Sequence, residues 1–580
     1  MLFKIFCSYL AKIEKTAKRL EMMEIFQDLF KNDLYEGQDN PIHDKIIYLC
    51  QGKLYPDWYG KPELNVAKAL AKKAAALATG YSSSRIDIIL KKAGDLGTTL
   101  AYLKKKGKQS KLVSFDQELT ISEVYNTLVE IAVYEGTESQ MKKVRTLSSL
   151  ISKCSAIEAK YLGRFINSKM RLGTADLTMI DAIARLLASD EKDQKVTRAV
   201  IERAYNIYPD LGLVIKTAML DGINALESFK PTFGIPIRSM LAQRLDSATE
   251  FLEKHGGPFA AEYKLDGERV QIHKNGDEVI LFSRRQEVIT TQFPDVVEYI
   301  QKFIKATKVI LDGEIVAIDP DTGKLERFQI LMQRRRKYDV EQKVKEIPTR
   351  VYLFDIMLKD DDSLLTTPYI KRRDIIENTI LSEGNEGNVI PVNQRVVSSY
   401  EELVEFYNKA IDDGTEGLLT KSIKPESIYQ PGARGWLWIK LKSLTRGKLS
   451  DHLDLVVIGA NMGEGRRSGL YGTLLVAALN EETGNFEMVT KVSSGMTDET
   501  ADYFYNTLTR TNVCPKTVRS NEEPDQWLVP DHVLEIAGDE ITESKDSVVG
   551  YSIRFPRILR IRKDKGIEDI TTVKEIRAMS

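Results

Sequence analysis

The hydrophobic period of this chain changes once, and that change limits its fold more than any single motif. From residue 1 to about 225 the apolar residues recur at helical spacing, as in PELNVAKALAKKAAALATGY and TMIDAIARLLAS, with few β-branched runs. Around KPTFGIPIRSMLAQRL, Lys230 to Leu245, two prolines and a glycine predict a linker. Beyond it, apolar and polar residues alternate. GERVQIHKNGDEVILFSRR reads as two strands about Asn275-Gly276, the strongest short hairpin signal a chain can carry. KVILDGEIVAID, RVYLFDIML and TEGLLTKSI read as further strands, with helices such as SYEELVEFYNKAIDDG between them. From about Leu441, HLDLVVIGANMGEGRRSGLYGTLLVAALN has short strands and glycine-rich turns, the texture of a small β-barrel. A chain of 580 residues is also too long for one core. The expected domains are therefore helical over 1–228, mixed α and β over 229–440, and barrel over 441–580.

Charge and cysteine content narrow the chemistry. With 83 basic and 84 acidic residues the net charge is −1, which by itself announces no nucleic-acid binder. The runs KKKGK (Lys104 to Lys108), RRRK (Arg334 to Lys337) and RILRIRKDK (Arg557 to Lys565) nevertheless concentrate positive charge locally, although each is also what a solvated face looks like. Four cysteines without a C-x-x-C pair argue against a zinc site or disulfide framework and fit a reducing compartment. Five histidines without H-x-x-x-H spacing leave a catalytic metal to oxygen ligands, which suits magnesium. The N-terminal MLFKIFCSYLAKIEK is interrupted by Lys4, Lys12 and Glu14, so it reads as an amphipathic helix rather than a signal peptide. No stretch approaches the ~18 apolar residues of a membrane span, so an intracellular, cytoplasmic protein is expected.

AAEYKLDGERVQIH places Lys264 at the edge of an apolar strand, followed at once by Asp266, Gly267 and Arg269. A solvated hairpin explains this, and so does a lysine meant to react. Its company decides the matter: FSRRQE, LDGEIVAID, YLFDIM, TEGLLTKS, WLWIKLK and a late RFPRILRIRKDK follow in order. This constellation resembles the covalent nucleotidyltransferases, and specifically the ATP-dependent DNA ligases of archaeal and eukaryotic replicative type. EAKYLGRFINSKMRLGTAD is similar to their N-terminal DNA-binding domain. The resemblance implies an all-α DNA-binding domain, an α+β adenylation domain and a C-terminal OB-fold barrel. It implies ATP and Mg2+ as cofactors, and nick sealing through a lysyl-AMP intermediate and an adenylated 5′-phosphate, in DNA replication, repair and recombination.

Carried onto this sequence, the resemblance makes Lys264 the nucleophile. Free lysine has a pKa near ~10.4, so the amine needs neighbouring cations such as Arg269, Lys440 and Lys442, and a metal, to become reactive. Glu262 matches the residue that reads the adenine amino edge. Phe354 matches the aromatic that stacks on the purine, its alternative being a strand residue facing the core. Arg269 and Arg284 match ribose and phosphate contacts, for which a forked guanidinium is suited. Glu314 and Glu416 match acidic residues near ribose and magnesium, with Asp312 on the same strand face as a helper. Lys440 and Lys442 would offset charge on the α-phosphate, and Arg434 would touch the triphosphate. Arg562, Asp564 and Lys565 match the closing motif that orients pyrophosphate.

The turn KMRLG, ending in Gly173 with Asp176 capping the next helix, presents Lys169 and Arg171 either to backbone phosphates or as an ordinary connection between helices. QSKLVSF resembles a peptide that docks on sliding clamps through Gln109, Leu112 and Phe115, although Asp116 stands where a second aromatic is usual; a plain loop is the alternative. The expected partners are nicked duplex DNA and a sliding clamp, with no membrane and a monomeric state. Without a cysteine-rich module, the layout resembles archaeal more than nuclear ligases. Two rival readings share these residues: an RNA ligase or guanylyltransferase using the same lysine, and a non-catalytic DNA-binding partner of a clamp. The helical domain opposes the first, and the intact set of lysines and glutamates opposes the second.

Overall fold

The computed structural model describes the chain except residues 33, 37–39, 65, 107–117, 137, 168, 174–175, 246–247, 335–339, 442–451, 464–466, 539 and 580. It divides into two compact units. One comprises Met1–Asn65, Gln117–Ser139 and Leu172–Thr445; the other comprises Val66–Asp116, Gln140–Arg171 and Arg446–Ser580.

In the first unit, the helix Phe3–Lys15 buries Phe3, Phe6, Cys7, Leu10 and Ile13 at three- and four-residue spacing and leaves Lys4 and Lys12 exposed, as its amphipathic pattern requires. Asp210 caps the helix Leu211–Leu220 by accepting from the Leu213 N–H at 2.9 Å, and it also accepts from the Tyr48 hydroxyl at 2.7 Å. Asp176, expected as a cap, does something else. Its two oxygens accept from Gln51 Nε2 at 2.9 Å and Tyr205 Oη at 2.6 Å, tying three helices together.

The stretch read as a linker is packed. Ile237 and Met240 are fully buried, Gln271 bonds both the N–H and the carbonyl of Ile237, and Leu241–Arg244 pairs in parallel with Arg434–Leu441. Prolines and glycine mark a break in periodicity, which an edge strand produces as readily as a linker does.

Two sheets follow. One has five strands in the order Leu241–Arg244, Arg434–Leu441, Leu418–Ser422, Phe259–Tyr263, Gln394–Val397. The other is built around Glu278–Ser283, Glu268–Asn275, Lys308–Ala317 and Thr349–Lys359. The expected hairpin forms one residue later than the Asn-Gly pair suggests. Asn275 pairs with Glu278, so Gly276 and Asp277 make the turn, with Gly276 at φ +59°. A glycine at the first turn position is what a type II′ hairpin prefers.

Among the buried histidines of this unit, His255 and His273 are the most strongly shifted in pKa. His255 stacks on Phe259 and shares a hydrogen bond with Thr420 Oγ1 at 2.8 Å, and burial lowers its pKa to about 4. His273 accepts from the Gly234 N–H at 3.2 Å, and burial lowers its pKa to about 3. The unfolded chain protonates both near the ordinary value of 6.5. Their contribution is therefore intact above that pH and lost as pH falls towards the folded values, on the order of 3 kcal/mol each by about pH 4. The melting temperature should fall between about pH 7 and about pH 5; a flat profile over that range would count against this account.

In the second unit, the helices Leu96–Lys106 and Ala156–Ile166 cross at two glycines. A Cβ on Gly163 would stand 2.8 Å from the Gly97 Cα, too close for any larger residue. The strand-rich C-terminal part is built on Leu453–Met462, which pairs with Tyr471–Asn480, Gln526–Leu528 and Val533–Ala537. Its pairing with Tyr471–Asn480 shifts register between Val457 and Gly459, an irregularity of the kind that bends a strand. Val533–Ala537 then pairs with Arg557–Ile561. The helical, α+β and strand-rich regions expected along the chain are all present.

Candidate active site

Lys264 directly follows the strand Phe259–Tyr263 of the first sheet, and four residues later Glu268 begins a strand of the second. The segment carrying the lysine is thus the crossover between two sheets, and side chains from both converge on it. Backbone pairing brackets it: the Lys264 N–H donates to the Gly417 carbonyl at 2.9 Å, and the Glu416 N–H donates to the Lys264 carbonyl at 2.8 Å. This lays Glu416, 152 positions away in sequence, beside Lys264, and the ammonium donates to its carboxylate. Asp266 accepts from the Phe328 N–H at 3.0 Å and so pins the helix Phe328–Met332 to the turn. Burial raises the Asp266 carboxyl above its ordinary value against that hydrogen bond, and the Glu416 charge adds to the rise. At Gly267 a Cβ would stand 2.3 Å from the Ile315 carbonyl oxygen and 2.8 Å from Glu314 Cγ. Neither sheet can retreat without breaking its ladder. Gly267→Ala should therefore displace Lys264 from Glu314 and slow any reaction of the Lys264 amine at least about tenfold, by the usual sensitivity of a reacting geometry to a shift of about 1 Å. Unchanged single-turnover labelling with ATP would refute it.

Arg269 lies directly across the ladder from Glu314. Its Nε and Nη2 grip both oxygens of Asp312, at 3.1 and 2.7 Å, and its Nη1 donates to the Met240 carbonyl at 2.9 Å. Asp312 also accepts from the Tyr429 hydroxyl at 2.8 Å. The residue expected as a helper to the metal is thus the anchor of Arg269. The charge placed against the Lys264 amine is the Glu416 carboxylate, whereas Arg269 is turned to Asp312. Desolvation pushes the Glu314 carboxyl up to about 8, against the attraction of Lys264 and Arg269.

Glu262 is 1% exposed. Its Oε1 accepts from the Tyr369 hydroxyl and, at 3.3 Å, from Gln394 Nε2. Its Oε2 lies 2.9 Å from Lys421 Nζ, an ion-pair distance, yet receives no well-directed hydrogen bond. Lys421, fully buried, donates to the Phe354 carbonyl at 2.6 Å and lies 4.5, 4.6 and 5.1 Å from the rings of Trp438, Tyr369 and Phe354. Behind it, Arg372 forks onto Asp355 at 2.6 and 3.1 Å, both residues at 0% exposure. Burial alone would raise the Asp355 carboxyl; Arg372 and Lys421 overcome that and hold it below the usual carboxylate range. Sequence reasoning missed Lys421, Asp355, Arg372 and Tyr369. Lys421 and Asp355 stand inside the motifs TEGLLTKS and YLFDIM. Nothing in YIKRRDII distinguishes Arg372 from a solvated helix residue.

Other residues lie further out. Arg284 is exposed in the turn after Glu278–Ser283, Arg434 is exposed at the start of its strand, and Lys440 is half-buried on that strand, opposite Leu419. Lys442, and Gln109, Leu112 and Phe115, lie outside the described residues. In the second unit, Lys169 is exposed, but Arg171 is turned inward, 3.5 Å from Asp95 and donating to the Gly94 carbonyl at 3.3 Å, with φ +57°. Arg562 donates to Asp564 through Nε at 3.0 Å and Nη2 at 2.8 Å, and holds that carboxyl down at about 2. Lys565 donates to Asp454 at 2.7 Å.

Among the described residues no group of three or more His, Cys, Asp or Glu side chains is arranged to hold a metal. Glu314 and Glu416 offer hard oxygens at the lysine, which fits magnesium, an ion that leans on one or two carboxylates and completes its octahedron with water and phosphate. Glu262 Oε2, which receives no well-directed hydrogen bond, fits an amino donor on a flat base. Among the described residues no helix is long and apolar enough to cross a membrane.

Residues 2–184 match the family described as DNA ligase N terminus, residues 239–442 the ATP dependent DNA ligase domain, and residues 467–565 the ATP dependent DNA ligase C terminal region. The chain is 41% identical over its full length to a DNA ligase of Saccharolobus shibatae and 42% identical to one of Hyperthermus butylicus, in each case covering 97% of the relative. The solved structure called Pmar-Lig_PreS3 is similar with a TM-score of 0.54 at 16% identity, over 96% of this chain and 99% of that one, a likeness of fold.

Proposed function

The chain belongs to the ATP-dependent DNA ligases, and we propose that Lys264 is the residue on which it carries AMP while sealing nicks in duplex DNA. The observation that supports this most is the placement of Lys264 at the crossover of two sheets, paired with Glu416 and close enough to Glu314 to draw its titration.

In the first step Lys264 leaves Glu416, loses its proton, and its nitrogen bonds to the α-phosphorus of ATP as the bond to pyrophosphate breaks. Glu262 takes the adenine amino group on Oε2, and Phe354 stacks on the purine. Arg269, held by Asp312, is a prepositioned fork for the ribose and has little rotamer freedom left to lose. Arg284 and Arg434, both exposed, reach phosphate oxygens, and Lys440 and Lys442 offset charge at the α-phosphate. Magnesium, when bound, neutralises phosphate charge; Glu314 and Glu416 would hold it. Arg562 and Lys565 orient pyrophosphate. Asp564, a carboxylate, cannot bind that anion and serves by holding Arg562. AMP then passes to the 5′-phosphate of the nick, and the 3′-hydroxyl displaces it.

Lys169 supplies a phosphate contact on DNA, while Arg171, tied to Asp95, shapes that turn rather than reaching out. The enzyme works as an intracellular monomer, serves replication, repair and recombination, and docks on a sliding clamp through Gln109, Leu112 and Phe115. Deleting 109–115 without loss of clamp-stimulated ligation would rule out this docking role. The test of the function is a duplex with one 5′-phosphorylated nick, incubated with enzyme, ATP and magnesium beside the same nick in RNA. Sealing of DNA is the expected result; sealing confined to RNA would replace this reading with the RNA ligase one.

A further inference from the structure

In the second unit one carboxylate holds two cations. Asp454 Oδ1 and Oδ2 lie 3.0 and 3.1 Å from Arg562 Nη1, and Oδ2 accepts from Lys565 Nζ at 2.7 Å. Asp454 is 7% exposed. Its backbone is clamped on both sides by Thr571, whose hydroxyl accepts from the Asp454 N–H at 3.0 Å and whose N–H donates to the Asp454 carbonyl at 2.9 Å. Asp564 takes the remaining edge of the guanidinium, so all three nitrogens of Arg562 point at carboxylates. The neighbouring acid, Glu535, directly across the ladder from Asp454, is engaged by Arg560 and His452 and stands 3.7 Å from Arg562. Asp454 is therefore the anion on which Arg562 and Lys565 meet.

We propose that Asp454 is an internal stand-in for phosphate: it holds Arg562 and Lys565 together and sets the affinity of this pair for pyrophosphate, which has to displace it. An Arg and a Lys converging on one oxygen pair is the arrangement a phosphate group recruits. The Arg562 side chain is only 13% exposed while so held. Its Asp564 partner stands two residues away in the same segment, whereas Asp454 lies 108 positions away on another strand. This inference rests on the reading of Arg562 and Lys565 as pyrophosphate ligands, and the test separates the two.

The test is the reverse of self-adenylation. A pyrophosphate oxygen bonds to the α-phosphorus of adenylated enzyme, the P–N bond to Lys264 breaks, the lysine nitrogen takes up a proton, and ATP leaves. Full-length wild type, Asp454→Asn, Asp454→Glu and Arg562→Ala are titrated with pyrophosphate, and sealing of a pre-adenylated nick, which involves no pyrophosphate, is measured alongside. Asp454→Asn should lower the half-saturating pyrophosphate concentration about tenfold and leave the pre-adenylated nick sealed at the wild-type rate. Asp454→Glu, which keeps the charge, should stay near wild type. An unchanged or raised requirement in Asp454→Asn, with Arg562→Ala impaired, overturns the proposal and spares the reading of Arg562. An unimpaired Arg562→Ala overturns both. Loss of pre-adenylated sealing in Asp454→Asn assigns Asp454 a purely structural role and also overturns the proposal.

Discussion

Lys264→Ala should abolish the acid-labile AMP label that the wild-type protein acquires from α-labelled ATP, a loss of at least about 10⁴-fold in the rate of the first step. Two described neighbours, Lys421 and Arg269, cannot substitute. Lys421 is buried behind the Phe354 carbonyl and Glu262, and Arg269 is held by Asp312. The same variant should still join a nick that already carries AMP on its 5′-phosphate, because that step asks nothing of the lysine nitrogen as nucleophile. A denaturing gel of wild type beside variant, with and without acid, reads the first claim, and a pre-adenylated nick reads the second. Persistence of label in Lys264→Ala would assign the covalent step to another residue.

The second large effect is on stability. Asp355 and Arg372 are both fully buried, and Lys421 lies 3.9 Å from the same carboxylate. Asp355→Ala leaves two cations in the interior with one anion removed. The expected cost is about 3–5 kcal/mol, the range found when one member of a buried pair is deleted. Denaturant unfolding would show it as a lower midpoint with little change in slope. Replacing the pair together, Asp355→Leu with Arg372→Met, should recover part of the loss, since the desolvation cost of the Arg372 charge disappears with it. A single variant as stable as wild type would mean that water reaches this cluster.

Several features are legible in the residues alone. The amphipathic Phe3–Lys15, the hairpin near residue 275, the run of motifs from Glu262 to Lys440 and the barrel texture after Leu441 all rest on local signals: periodicity, turn chemistry, and residues close together in sequence. Local signals also mislead. Asn-Gly marks a turn whose register is settled by cross-strand pairing, one residue away. Asp176 stands where a cap belongs, but its carboxylate finds two donors on other helices. Proline and glycine at 230–245 look like a linker because a packed edge strand disturbs periodicity in the same way.

The sequence by itself determined the family and the order of helical, mixed and strand-rich regions, and it singled out Lys264 as the candidate nucleophile, because each of these is written in residue type and spacing along one stretch. Only the tertiary structure decided which charges meet. Lys264 with Glu416, Arg269 with Asp312, Lys421 with Glu262, and Arg562 with Asp454 are all ion pairs joining distant parts of the sequence. A buried charge must find an opposite one or leave the interior, and which partner lies within reach depends on strand register and sheet crossing. Those are properties of the assembled layers, which no window of sequence contains.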